Sequence, residues 1–543
     1  MVMAYMKSKP VLAVIVILGA LLLVLSLITV GKVSGTIPRD VLAGSKIQPQ
    51  IAEILPQRSL LFLSLLAKPE KLGLFAKLAA KPSDRAEVSN ELNKLKQQLS
   101  HNWLLDYERD VQPWLDHEVA IAITSTDLAS TDLDSQPNNG LQTGYLLAFA
   151  IQDLELAKSS MNKFWQRLAI KGTDIEFEQY RGLSILSVKI ENRSSTIAQI
   201  ITDKFVLFAN SKQVLHQVID TIHSPESAIA NLDSYKRSLS KFGNNPDGKF
   251  GIAYANLTDF AKGDFSENIL ISLNLDKSGI RLKTLSDPES SSQFPLNFYR
   301  DIVNKVPLGS SIVFGNNLRQ TLQNSEKTLP TGLKKYLTNA LLPIPLDSRV
   351  WTWVEGDYAI ALITKANSKP DWLLVSKVKN AGNTRAAIAE LDNLFRAKFT
   401  IGEIIVKQEP VTIWTNLNAI ANNYGVSGNI AIAHTQTPEY IYFSNSLPVL
   451  ESSLSLKTQQ AIITSKDFKG TISHLAKGQS TYAYLDKELL QQWQQELPLS
   501  LSISQIIESS PLPLLFKHLD LIGYASDSSS PSPLNGEIFL QFK

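Results

Sequence analysis

Residues 11–30 read VLAVIVILGALLLVLSLITV, an apolar run without one charged side chain. A chain with such a run must bury it in a bilayer or in its own core. Twenty residues at ~1.5 Å rise make a helix of ~30 Å, the thickness of a bilayer's hydrocarbon core. Fifteen of the twenty are Val, Leu or Ile. At roughly −0.3 to −0.6 kcal/mol each, they favour insertion by several kcal/mol. Pro10 suits the first turn of a helix and Gly31 its end. Lys7 and Lys9 precede the run, so the positive-inside rule holds residues 1–10 in the cytoplasm and sends the remainder across. Lys32 opposes that bias weakly. A cleaved signal peptide is the competing reading. Its apolar core is usually ~7–15 residues and ends in small residues at the cut. Here the run is longer and Val33-Ser34-Gly35 fits such a cut poorly. The expectation is a retained single-pass transmembrane helix with the C-terminal body outside the cytoplasm.

Charge and cysteine usage narrow the function classes. The chain has 53 basic and 51 acidic side chains among 543 residues. Setting aside Lys7, Lys9 and Lys32 leaves a body with a net charge of −1. No basic stripe is present, so binding to a nucleic-acid backbone has no electrostatic basis. There is no cysteine, which excludes disulfides, thiolate catalysis, Cys-based zinc sites and a lipoprotein cleavage site.

After a Gly-, Pro- and polar-rich stem at 31–50, the body reads as the same text written twice. Pro56 with Leu60-Leu61-Phe62-Leu63 parallels Pro307 with Ile312-Val313-Phe314. Trp114, Glu118 and Ala120-Ile121-Ala122 keep the spacing of Trp353, Asp357 and Ala359-Ile360-Ala361. Gly144-Tyr145-Leu146-Leu147-Ala148 parallels Asp371-Trp372-Leu373-Leu374-Val375. Asn210-Ser211 answers Asn445-Ser446, and Ala253-Tyr254 answers Ala483-Tyr484. The offset is 239 residues at the Trp and 227 at the next strand. The shift falls in a polar loop, where length varies freely. The helices that follow carry apolar faces at Ala157, Met161, Phe164, Trp165 and Leu168, and at Ile388, Leu391, Leu394 and Phe395. The expected organisation is a first α+β repeat at 51–285, a linker at 286–300 and a second α+β repeat at 301–543. Each repeat is expected to be an antiparallel sheet of six to eight strands with four or five helices, mainly on one face.

The stretches WLDHEVAIA, LLAFAIQDLELAKSSMNKF and ITDKFVLFANSKQVLHQVI, behind an N-terminal membrane helix, resemble the bacterial and largely cyanobacterial DUF3352 family of unknown function. The resemblance covers roughly residues 50–543. It implies a membrane-anchored envelope protein, with the body in the periplasm or thylakoid lumen, and supplies no catalytic residues.

Reactive-looking residues give no constellation. His216 and His223 share a helix face direction but stand ~10.5 Å apart along the axis, too far for one metal ion. They lie off the apolar face of Val214, Leu215, Val218, Ile219 and Ile222, and so read as solvated helix surface. Asp116 and Glu118 share one strand face in regular alternation, with His117 opposite. The second copy has Glu355, Gly356 and Asp357, so the acids read as structural. Ser238 and Lys241 satisfy S-x-x-K without the accompanying motifs of that chemistry. Trp114 and Trp353 read as core plugs, and Tyr440, Tyr442 and Phe443 as sheet interior and edge. No catalytic, cofactor-binding or metal-ligating residue is assigned, and no cofactor is implied. The expected function is a non-enzymatic binding or scaffolding module, with the membrane and an envelope protein or lipid as partners. The alternatives are a lipid or hydrophobic-ligand carrier with a pocket beside the sheet, and a Ser/Lys hydrolase.

Overall fold

A computed structural model describes residues 44–45, 48–79, 103–124, 144–190, 195–242, 249–256, 268–276, 279–286, 299–316, 356–365, 368–419, 426–496, 519–526 and 536–542, with isolated positions at 85–100 and 318. The expected transmembrane helix at 11–30 and Trp353 lie outside the described residues. Among the described residues, no helix is long and apolar enough to cross a membrane. The chain divides into two compact units, one drawn from residues 44–286 and one from residues 299–541.

The first unit contains β1 (Leu61–Leu65), α1 (Pro69–Ala79), β2 (Leu115–Ile123), β3 (Tyr145–Ile151), α2 (Leu154–Ile170), β4 (Ile175–Tyr180) and β5 (Leu183–Ile190). It continues with β6 (Ser195–Ile201), β7 (Phe205–Ala209), α3 (Lys212–His223), α4 (Asp233–Lys241), β8 (Gly251–Asn256), β9 (Asn268–Asp276) and β10 (Gly279–Ser286). The strands pair in the order β4-β5-β6-β7-β3-β2-β1-β8-β9-β10, every neighbour antiparallel.

The second unit contains α5 (Arg300–Val303), β11 (Ser311–Gly315), β12 (Tyr358–Lys365), β13 (Ser368–Lys377), α6 (Ala381–Phe395), β14 (Thr400–Val406), β15 (Glu409–Ala419) and β16 (Val426–Gln436). It continues with β17 (Tyr440–Ser444), α7 (Leu447–Leu454), α8 (Lys466–Ser473), β18 (Thr481–Leu485), α9 (Lys487–Glu496), β19 (Leu519–Ser526) and β20 (Gly536–Phe542). Its order is β14-β15-β16-β17-β13-β12-β11-β18-β19-β20. Position for position, this is the order of the first sheet.

Register agrees as well as order. Phe62 lies between Ala122 and Tyr254, and Ile312 between Ala361 and Tyr484. Ala148 faces Leu207, and Val375 faces Tyr442. The Asn210 side-chain oxygen accepts from the Tyr145 N–H at 2.7 Å, and the Asn445 oxygen from the Trp372 N–H at 2.8 Å. Ala122 with Ala361, Tyr254 with Tyr484, Ala148 with Val375, Tyr145 with Trp372 and Asn210 with Asn445 are pairs matched in the sequence. The two asparagines satisfy the amide one residue before the β3–β7 and β13–β17 ladders begin, at Leu146 and Leu373. Asn210→Ala and Asn445→Ala are each expected to cost about 1 kcal/mol, measured as a shift in urea midpoint.

Local chemistry sets the elements. Asp153 accepts from the Leu156 N–H at 2.9 Å and caps α2, while Asn380 caps α6 by accepting from Gly382 and Asn383. Arg181 and Gly182 both take positive φ and join β4 to β5 as a two-residue hairpin turn. Lys407 and Gln408 do the same between β14 and β15.

The expectation of helices mainly on one sheet face is corrected. In the first unit, one face packs Phe62, Ala120, Leu146 and Leu207 against α3 and α4. The other packs Leu147, Phe149, Val206 and Phe208 against α2 and the turns around Trp114. In the second unit, Ile312, Val375 and Tyr442 pack with α7 and α8 on one side. On the other side, α6 supplies Phe395, stacked on Trp414 at 4.8 Å. The cause is visible in β1, β7, β11, β17 and β18, where every residue is buried. Strands that alternate would leave one face wet; unbroken apolar strands need cover on both. Among the described residues each unit contributes ten strands, more than expected.

Candidate functional site

The flagged residues fall into three kinds of surroundings. Trp114 is fully buried, edge-on to Phe149, and its indole N–H donates to the Asp110 carbonyl at 2.7 Å. Asp110 is itself buried. Its carboxylate accepts from Arg167 at 2.6 Å and from Arg109 at 3.0 Å. Tyr440, Tyr442 and Phe443 are buried in β17.

The acids at the start of β2 do not follow the expected alternation. The ladder between β2 and β3 is irregular from Leu115 to Val119. Asp116 stays half-exposed beside the exposed His117, whose Nδ1 it contacts. Glu118 turns inward, and only 4% of it is exposed. Its carboxylate accepts from Ser64 Oγ at 2.6 Å and from the N–H groups of Gln50 and Ile51 at 2.8 and 3.2 Å. Glu118 therefore fastens the end of the stem to the first sheet. Burial pushes its pKa above the ordinary carboxyl range despite these three donors.

Asp357, the matching acid of the second unit, is also buried. Burial pushes its pKa up to about 6, against the opposing pull of Lys377 and Lys379. A carboxyl raised in the folded state adds stability below its unfolded pKa, and that stability is lost as pH rises through about 6. Asp357→Asn is expected to remove this slope and to stabilise the second unit by about 1 kcal/mol at neutral pH. Thermal melts of both proteins from about pH 3 to about pH 7, roughly one unit beyond each end of the shifted range, check it; parallel curves count against it.

His216 is half-buried against the β4–β5 hairpin, whereas His223 is exposed at the end of α3, in line with the helix surface expected there. His216 Nε2 meets Glu178 at 2.7 Å and its ring stacks on Tyr180 at 4.1 Å. His223 Nε2 meets the Arg181 carbonyl at 3.0 Å. Ser238 is buried while Lys241 is exposed, so the S-x-x-K spacing does not present both to one surface. Among the described residues, no group of His, Asp and Glu could hold a metal ion.

Sequence reasoning missed two arrangements. In the second unit, Asp392 Oδ1 is shared by the Trp414 indole N–H at 2.7 Å and His434 Nε2 at 2.9 Å, inside rings of Phe395, Phe399 and Phe443. The same positions in the first unit hold Trp165, which donates to Gln199 at 2.8 Å. The other is a cleft of about 710 Å³ at the end of the first sheet where β1 stops and β2 begins. Its lining includes Gly44, Ser45, the apolar Leu66, Ala67 and Leu115, and the charged Lys68, Glu70 and Lys71. Tyr107 O–H and Gln112 Nε2 both donate to Glu70 Oε1, at 2.8 and 2.7 Å. Burial, with the bond to Glu70 next, raises the Tyr107 pKa and keeps the phenol a donor. The only sequence signal was Lys68-Pro69-Glu70-Lys71 after an apolar strand. Its meeting with residues about forty positions later leaves no local trace.

Among the described residues, two units of ten strands each, with helices on both faces of the strands, define a mixed α and β protein. The profile of a family described as "Protein of unknown function (DUF3352)" matches residues 11–542, and the chain belongs to that family. No curated protein and no solved structure matches.

Proposed function

We propose that the chain is a single-pass envelope protein whose residues 11–30 span the membrane, with residues 1–10 in the cytoplasm and the body outside. The two units are an internal duplication and serve as a non-enzymatic binding or scaffolding module. The observation that carries this reading is the shared ten-strand order and register of the two sheets. A repeated frame with a separate packed core on each face supports a role in presenting surfaces. Filled cores leave a lipid carrier with less support, since the space beside each sheet is taken by side chains. The buried position of Ser238 lowers the support for a Ser/Lys hydrolase in the same way.

Protease applied to intact spheroplasts is expected to degrade the body and leave a short membrane-embedded fragment. A body left whole by protease rejects the topology. Crosslinking the full-length chain in its native membrane is expected to trap a defined partner. Failure to trap any partner, beside measurable turnover of a substrate, rejects the binding role.

A further inference from the structure

We infer that β14 is the docking edge for a second copy of this chain, which adds its own β14 antiparallel to the first about a twofold axis at Glu403. The inference rests on the reading of a binding module and supplies its partner. Among the described residues β14 pairs only with β15, so its other side carries unpaired backbone groups. Charge usually guards such an edge. β4, the matching edge of the first unit, follows that rule, with Glu176 and Glu178 held by Lys212 at 2.7 and 3.5 Å. β14 does not. It presents Ile405, 70% exposed, and Ile404, 40% exposed, with Glu403 as the one charge beside them. Lys407, just past its end, is turned onto Glu451 at 3.0 Å. An apolar edge of this kind is suited to a strand laid against it.

The residues of β14 select a second copy as the occupant. Thr400–Val406 reads TIGEIIV. Laid antiparallel on itself about Glu403, it sets Ile401 against Ile405 of the second copy, and Gly402 against its Ile404. The members of each pair lie on one face, because side chains alternate along a strand. Ile401, Glu403 and Ile405 share the face of Trp414, and Gly402 and Ile404 that of Ile413 and Val411. Nothing lies within 4 Å of where a Cβ on Gly402 would stand, which leaves room for Ile404 of the second copy. Charge matches at the ends. The chain enters β14 through Arg396 and Lys398, which meet neutral Asn393 and the Phe399 ring. Antiparallel pairing lays this cationic approach beside the hairpin of the second copy, where Glu409 stands, and the twofold axis repeats the match. Like charges meet only at the axis, Glu403 on Glu403, and weaken the pairing. A single seven-residue ladder also falls below the ~1,200 Å² of a stable interface. The association is therefore weak and reversible, and is read by trapping it.

The chain has no cysteine, so an introduced thiol reports a single position. In the full-length chain in its native membrane, Glu403→Cys sets two thiols directly opposite, with Cα atoms ~4.5–5.5 Å apart, inside the range of a disulfide. Mild oxidation is expected to link these chains roughly tenfold faster than chains carrying Phe177→Cys, an exposed position on β4. Ile405→Cys alone should stay unlinked, since its two copies stand ~13 Å apart along the ladder. Mixed with an Ile401→Cys chain, it should link. Adding Glu403→Lys to one member of that mixed pair should speed the link, because the axis then joins opposite charges, and adding it to both should not. Equal rates at positions 403 and 177, or Ile405→Cys linking alone as fast as in the mixed pair, overturn the inference. A chain that fails these tests while crosslinking still traps another protein loses the β14 edge and keeps the binding role.

Discussion

Trp114→Ala is expected to lower the stability of the first unit by about 3–5 kcal/mol, the largest effect of any single change proposed here. The indole has no exposed surface and closes the core between α2 and the sheet. Removal opens a cavity beside Phe149 and leaves the Asp110 carbonyl without its donor. The damage extends to charge, because the turn from Asp106 to Trp114 also positions the Asp110 carboxylate between Arg109 and Arg167. Trp114→Phe separates the two losses. It refills most of the volume and forfeits the hydrogen bond, so it should cost about 1–2 kcal/mol. Urea denaturation of the three proteins checks the order. Equal midpoints for Ala and Phe would show that volume is not the controlling quantity.

Gly315→Ala is expected to cost the second unit about 3 kcal/mol. Gly315 ends β11, held between β12 and β18. A Cβ there would collide with the Ser480 carbonyl oxygen and meet the Tyr358 ring at 3.0 Å. The first obstacle is backbone, which no rotamer change relieves. Gly470, on α8, has open space around the same construction. Gly470→Ala should therefore stabilise by about 0.5–1 kcal/mol. The two variants share chemistry and differ in sign. A shared sign would show that local propensity outweighs the close approach of strands.

The frame was far more legible in the sequence than the site. Pairs such as Ala122 with Ala361 and Asn210 with Asn445 were found from spacing alone, and they sit at matching ladder positions. Spacing is a property of local chain geometry, and strands and helices keep it. The apolar faces of α2 and α6 were readable for the same reason, apart from Leu394, which is exposed. Cover on both sheet faces was not inferred, although the all-apolar strands carried the signal. The irregular ladder at 115–119 broke the period-two argument about Asp116 and Glu118. The partners of Glu118 lie 54 to 68 residues away, so no pattern around it names them. The cleft is hidden likewise, since its wall joins two segments some forty positions apart.

Two halves with one strand order raise a hazard during synthesis. A segment from the earlier half could dock into the vacant slot of the later one while the chain is still emerging. The unlike pairs at matched positions, Trp165 with Gln199 and Asp392 with His434, act against this. A helix exchanged between halves would set the Trp165 indole, a donor, opposite His434 and so deny His434 its carboxylate acceptor. Each half thus carries a polar password that only its own neighbour can answer.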